Sequence, residues 1–299
     1  MTNFVLSIQD VLRRGLFIAT GKNHGPEKRF GKLYGSSPQV LADMWHALQT
    51  TDLEEAKLDK KENSVKGFDR FLMAHFFLWT YPKNAELTAT RFKVCERLCR
   101  GEPIWRWVKK IQALKITTIT WDPRLDSSDT EIFIMSVDGT DFRIWEPKHP
   151  TLPIDTGYCS HKFKHAALKY EVAISVATGR CVWISGPHRG GKGDLTIMRE
   201  GLMKKVKAGK LVIADRGYNT SMDGEMEKMA TPNGMDVPEV AKFKSRQRAR
   251  HETFNGRLKH FCCLKDTFRH DIAKHQWALE AVAVTVQFQI DNGSPLFKL

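Results

Sequence analysis

Three acidic residues have the type and setting for phosphoryl chemistry: Asp138 in MSVDGTDF, Asp215 in LVIADRGY and Glu252 in RARHETFNGRLKHF. Carboxylate oxygens suit hard divalent cations, and two such ions about 3.5–4 Å apart can stabilise both the attacking and the leaving oxygen of a phosphodiester. Each aspartate closes a β-branched apolar run, and the glutamate lies in a basic, helix-forming stretch. Two strands and a helix must therefore bring them together. Each acid also has a plain structural alternative: Asp138 before Gly139 and Asp215 before Arg216 suit turns or caps, and Glu252 suits an intrahelical ion pair. Asp141 competes with Asp138 as first ligand if the strand register slips.

The surrounding pattern says which elements would hold these acids. Alternation over residues 132–137 sets Asp138 on the face of Ile134 and Ser136. A turn at Gly139-Thr140 then precedes a second strand over 142–145. Residues 170–176 and 181–185 flank an Ala-Thr-Gly-Arg turn, as a hairpin would. Asp194 reads as the N-cap of a helix carrying Leu195, Met198, Leu202 and Val206. Residues 210–214 form a short buried strand ending at Asp215, and that end is where open α/β sheets build sites. A loop over 219–240 leads to a helix over 246–261. Phe254, Leu258 and Phe261 make its apolar face, and Arg248, Glu252, Asn255 and Lys259 share another. A last helix over 275–290 is apolar enough to pack on the sheet. The expectation is an α/β domain over 130–299 with one mixed sheet flanked by helices.

Upstream, residues 67–121 read as short helices with Arg91, Lys93, Arg97, Arg100, Arg106, Lys109 and Lys110 among them. They fit a helix-turn-helix DNA-binding region or a plain helical bundle. Residues 1–66 are poorly defined, with a short amphipathic candidate over 41–48. Residues 121–129 read as a polar, turn-prone linker.

Composition narrows the function class. The 299-residue chain has 47 Lys+Arg against 34 Asp+Glu, a net charge of +13, which favours an anionic partner such as nucleic acid. Lys242, Lys244, Arg246, Arg248 and Arg250 lead into Glu252, Lys259 follows on the same helix, and Lys162 is expected to add to the same groove. The longest apolar run, 278–288, is interrupted by Glu280 and Thr285 and falls short of the roughly 20 residues of a membrane span. Asp10, Arg13 and Arg14 stand where a signal peptide needs its apolar region. The six cysteines lack zinc spacing and read as free thiols of a reducing compartment, nucleus or cytoplasm. Gly186 to Lys192 fits G-x-x-x-x-G-K, but Gly193 stands where a P-loop needs Ser or Thr. A basic loop touching DNA through Arg189 and Lys192 fits better, with NTP hydrolysis using Lys192 as the minor alternative.

Taken together, VDGTDF, SHKFKHAALKYEVAIS, ADRGY, KFKSRQRARHETFNGRLKHF and NGSPLF resemble the DDE superfamily endonucleases of the PIF/Harbinger transposase type. The resemblance runs over roughly residues 68–299 and is strongest over 138–261. It implies a ribonuclease-H-like fold and a triad of Asp138, Asp215 and Glu252 holding two Mg²⁺ or Mn²⁺ ions. It further implies double-stranded DNA as substrate, homo-oligomers on paired ends, a separate Myb-like DNA-binding partner and a nuclear location. Two departures stand out: Asp141 occupies a position where relatives often carry His, and Gly101-Glu102-Pro103 interrupts the helix-turn-helix. The reading is a metal-dependent DNA endonuclease or transposase; the alternative is a domesticated, catalytically silent DNA-binding protein.

Overall fold

The computed structural model describes residues 6–21, 25–123, 125, 132–147 and 155–298. Its helices, in chain order, are α1 (Ile8–Thr20), α2 (Glu27–Tyr34), α3 (Pro38–Thr50), α4 (Val65–Thr80), α5 (Glu86–Phe92), α6 (Glu102–Ala113), α7 (Lys115–Thr118), α8 (Asp194–Glu200), α9 (Asp223–Met226), α10 (Pro238–His260), α11 (Cys262–Lys265) and α12 (Ile272–Asp291). The strands are β1 (Phe133–Arg143), β2 (Ala167–Ser175), β3 (Cys181–Arg189), β4 (Leu211–Ile213) and β5 (Met229–Ala230). The chain divides into two compact units: Met1–Thr118 with Leu258–Asp266 and His270–Ser294, and Ile119–Arg257 with Thr267–Arg269 and Pro295–Leu299.

The first unit is helical. Trp45 on α3 meets Phe68 and Phe71 on α4 at ring distances of 5.2 and 5.5 Å, and stacks on Trp107 of α6 at 6.2 Å. Ser7, Ser37 and Ser64 cap α1, α3 and α4 through their side chains. Residues 1–66, poorly defined by sequence, thus include three helices. The expectation for α12 is corrected, because it packs among α3, α6, α7 and α11 of this unit. Its buried Glu280 explains the charge inside that apolar run: Gln112 Nε2 and Lys115 Nζ each lie 2.6 Å from its carboxylate. A buried carboxylate requires such partners.

The second unit is a five-stranded mixed sheet in the order β3-β2-β1-β4-β5. The β1–β2 and β2–β3 pairs are antiparallel, and β1–β4 and β4–β5 are parallel. This is the expected mixed α/β sheet flanked by helices. Met135, Val137, Ala173, Val212, Met198 and Leu202 form the core on one face. On the described part of the linker, Leu125 is buried in that core; residues 124 and 126–131 lie outside the described residues.

Four local expectations change. No turn breaks β1 at Gly139-Thr140, so Asp138 is interior to an 11-residue strand, paired with Val172. Strand β3 runs on to Arg189, with His188 opposite Lys169 and Gly186-Pro187 at an irregularity in the pairing, so Gly186 to Arg189 belong to a strand rather than a loop. Gly193, not Asp194, is the N-cap of α8, and Asp194 is its first residue. The 219–240 stretch contains α9, β5 and the start of α10, which begins at Pro238 and spans 23 residues.

In the helical unit, a Cβ at Gly67 would overlap the backbone carbonyl of Glu62. Neither group is a flexible side chain, so Gly67→Ala is expected to cost about 2–3 kcal/mol and to lower Tm by several degrees in thermal unfolding.

Candidate active site

Strand β1 presents Ser136 and Asp138 to one face, and helix α10 lays a polar stripe over them. Gln247 Nε2 donates to Ser136 Oγ at 3.0 Å, His251 Nδ1 is hydrogen-bonded to the same oxygen at 2.9 Å, and Asn255 Nδ2 donates to Asp138 Oδ2 at 2.9 Å. The three are spaced i, i+4 and i+8, one face of a helix, and all three are buried. Burial drives the His251 imidazole down to about 3, so it stays neutral. Sequence reading placed Asn255 on the site wall but missed Gln247 and His251; their helical spacing was the available signal.

Glu252 follows His251 and faces a cavity of about 410 Å³ with Asp138, Asp215 and Arg248. Asp215 reaches it from two residues past β4, which lies parallel to β1 with Ile213 opposite Ser136. Its Oδ1 also accepts from Gly217 N at 2.8 Å, so it caps the following turn as well. The three acids selected from sequence therefore line one cavity. Asp141 does not line it. Three residues on from Asp138, it points to the opposite face of the strand. There it accepts from Ser160 Oγ at 2.5 Å and lies 3.9 Å from Lys169 Nζ.

The Asp138 carboxyl is pushed up to about 7, first by burial and then by the charges of Glu252, Asp215 and Asp194; Lys162 opposes the shift. Asp194 sits against Gly139, where any Cβ would collide with its carboxylate, and beside Gly217. Lys169 Nζ, 2.9 Å away, holds it. Glu171, across the ladder from Gly139, is buried with its carboxyl raised to about 7 by desolvation, against which a 3.0 Å hydrogen bond from Trp183 Nε1 works.

Among the described residues, no three His, Cys, Asp or Glu side chains are gathered closely enough to hold an ion as they stand. The donor set nevertheless fits a hard divalent cation. It is all carboxylate oxygen, and the mutual repulsion that raises Asp138 is what a dication would relieve.

The basic residues separate into engaged and available ones. Lys244 is buried and paired with Asp236 at 2.8 Å, and Arg250 is buried, donating to Val176 O at 2.7 Å and covering Gly179. Their expected contact with DNA is corrected: both side chains are spent on the fold. Lys162, Lys242 and Arg246 are exposed, the last donating to Lys298 O. Arg248 lines the cavity and its Nε has no hydrogen-bond partner among the described residues. Lys259 belongs to the helical unit. Arg189 and Lys192 lie on the walls of a second cavity. None of the six cysteines forms a disulfide.

Residues 137–287, half of the chain, match the family model for the DDE superfamily endonuclease. The chain belongs to that family. No curated protein and no solved structure matches it. The family match begins one residue before Asp138 and takes in Asp215 and Glu252.

Two outcomes follow for this endonuclease-family chain. Below its ordinary value of 3.8, Asp138 is neutral in folded and unfolded chains alike; as pH rises towards about 7 only the unfolded chain ionises freely. Stability of the metal-free protein therefore falls across that window, by on the order of 3–4 kcal/mol at this carboxyl. Asp138→Asn keeps the acceptor for Asn255 and is expected to flatten the slope. Thermal unfolding in EDTA should find the variant more stable than the parent at about pH 8 and equal to it at about pH 4. Arg250→Ala should lower Tm through loss of its buried contact while leaving the salt dependence of DNA binding unchanged.

Proposed function

We propose that this DDE endonuclease-family chain cleaves phosphodiester bonds of double-stranded DNA, with Asp138, Asp215 and Glu252 as its catalytic acids. What supports the reading is that three carboxylates distant in sequence line one cavity, where burial first and then the charges of Glu252 and Asp215 raise Asp138 to about 7. Two divalent ions, Mg²⁺ or Mn²⁺, held by these carboxylates would supply an activated water and neutralise charge on the phosphate oxygens. The protein's own residues do the positioning. Asn255 fixes the rotation of the Asp138 carboxylate through Oδ2 and leaves Oδ1 for the site. The turn at Arg216–Tyr218 fixes Asp215 in the same way. Arg248, on the wall of the same cavity, supplies positive charge to a phosphate oxygen. Lys162, Lys242 and Arg246, all exposed, draw in the DNA backbone.

The finer assignment is a transposase of the PIF/Harbinger type, acting in the nucleus as a homo-oligomer on element ends, with strand transfer to a DNA 3′-hydroxyl and a separate Myb-like partner. It rests on the motifs from VDGTDF to NGSPLF. A helix-turn-helix role for residues 67–121 rests on the basic residues of α5 and α6.

A supercoiled plasmid incubated with the full chain and Mg²⁺ or Mn²⁺ is expected to be nicked, and EDTA to abolish the reaction. Asp215→Asn and Glu252→Gln should each lower the rate by about 100-fold or more. Nicking that survives Asp215→Asn would remove the triad; DNA binding with no cleavage under any metal would favour the silent DNA-binding alternative.

A further inference from the structure

A second cavity of the sheet unit, about 680 Å³, lies between the Thr156 to Lys164 segment and the end of β3. That volume is in the range of small-molecule and cofactor sites. Its charged lining comes from Lys164, Arg189 and Lys192, with His161 and His188 beside them, and among the described residues no carboxylate lines it. The triad cavity has the opposite character, three carboxylates against Arg248.

The cations are in place but lightly held. Arg189 pairs with Asp155 at 3.0 Å and Lys192 with Glu200 at 2.5 Å, and three of these four side chains are 40–61% exposed. Exposed pairs are weak, so a phosphate can displace either carboxylate. Lys164 adopts φ +56, a region L side chains seldom occupy, and its N–H donates to Ser160 O at 2.8 Å. Buried Ser160 makes that loop rigid: its Oγ donates to Asp141 and accepts from the amides of Lys162 and Phe163. At Gly190 and Gly191 a Cβ would press on the carbonyls of Ala167, Tyr158 and Gly157, so the facing wall is close-packed too. Burial first, then Lys192 and Lys169 against Glu200, keep the His188 imidazole below its ordinary range.

Ser160 is bonded to Asp141, three residues along β1 from Asp138. Asp141 points away from the face that carries Asp138, so the Ser160 loop is anchored on the side of β1 opposite the triad.

We infer that this cavity is a subsite for a backbone phosphate of the DNA, held by Lys164, Arg189 and Lys192. The inference rests on the nuclease reading for the origin of the strand. It also accounts for the glycine-rich Gly186 to Lys192 segment: it begins as strand β3, with His188 and Arg189 paired to β2, so phosphate is met by side chains and not by a cradle of amides.

The test is fluorescence anisotropy of the full chain in EDTA with a labelled, nicked DNA duplex of arbitrary sequence. Lys164→Ala combined with Lys192→Ala is expected to bind roughly 10-fold more weakly, with the slope of log affinity against log salt flatter by about 1.8. Lys204→Ala, exposed and outside the cavity, should match the parent. Arg189→Gln, a single change at an exposed side chain, should shift affinity in the same direction if the double variant folds poorly. Free ATP is expected not to displace the duplex. The inference is overturned if the double variant binds DNA as Lys204→Ala does, or if ATP binds in a Lys192-dependent way while DNA binding is unchanged. Because cleavage is not read, a chain that binds through this cavity yet never nicks DNA would remove the nuclease reading and leave the subsite standing.

Discussion

The hydrogen-bonded seam between β1 and α10 governs the geometry of the site. Ser136 Oγ is shared by Gln247 and His251, and one turn later Asn255 takes Asp138. Inside a protein an unmatched polar group costs about 1–3 kcal/mol, so a slip of the helix by one residue would strand several at once. The seam thereby sets helix register, and register sets where Glu252 points, since it adjoins His251. Placing a third carboxylate near two others is electrostatically unfavourable; the seam and the buried Phe254 on the same helix supply the counterweight.

Much of this was legible in the sequence where a pattern had one physical meaning. The β-branched runs before Asp138 and Asp215 became strands, and the apolar spacing of Phe254 and Leu258 became a helix, which starts earlier than read and ends before Phe261. The errors came where local chemistry points one way and tertiary context another. Gly139-Thr140 has turn composition, yet β1 passes straight through. The glycine is there because Asp194 occupies the space a side chain would need. The apolar length of α12 suggested a sheet-covering helix, and periodicity could not reveal that its buried Glu280 is matched by Gln112 and Lys115 of the helical unit.

Charge shows the same division. A run of alternating Lys and Arg from Lys242 to Arg250 reads as one surface for a polyanion. On a helix, however, alternate residues fan out around the axis, and two of the five point inward, to Asp236 and to the Val176 carbonyl. The opposed character of the two cavities arises instead from separated segments: β1, the turn after β4 and α10 for the acidic one, the loop before β2 and the end of β3 for the basic one. No sequence window contains it.

The helical unit is discontinuous in the chain, and this bears on how the protein is made. Lys115 waits for Glu280, 165 residues downstream. At roughly 5–20 residues per second, synthesis opens a gap of about 8–30 s between them. In that gap the sheet strands and α10 have all emerged, while α6 and α7 still lack the helix that covers them. Closing so long a loop adds little to the free energy, because its entropy grows only logarithmically. The burden falls on time: the nascent chain leaves the side of Trp105 that meets Trp277 uncovered until α12 arrives.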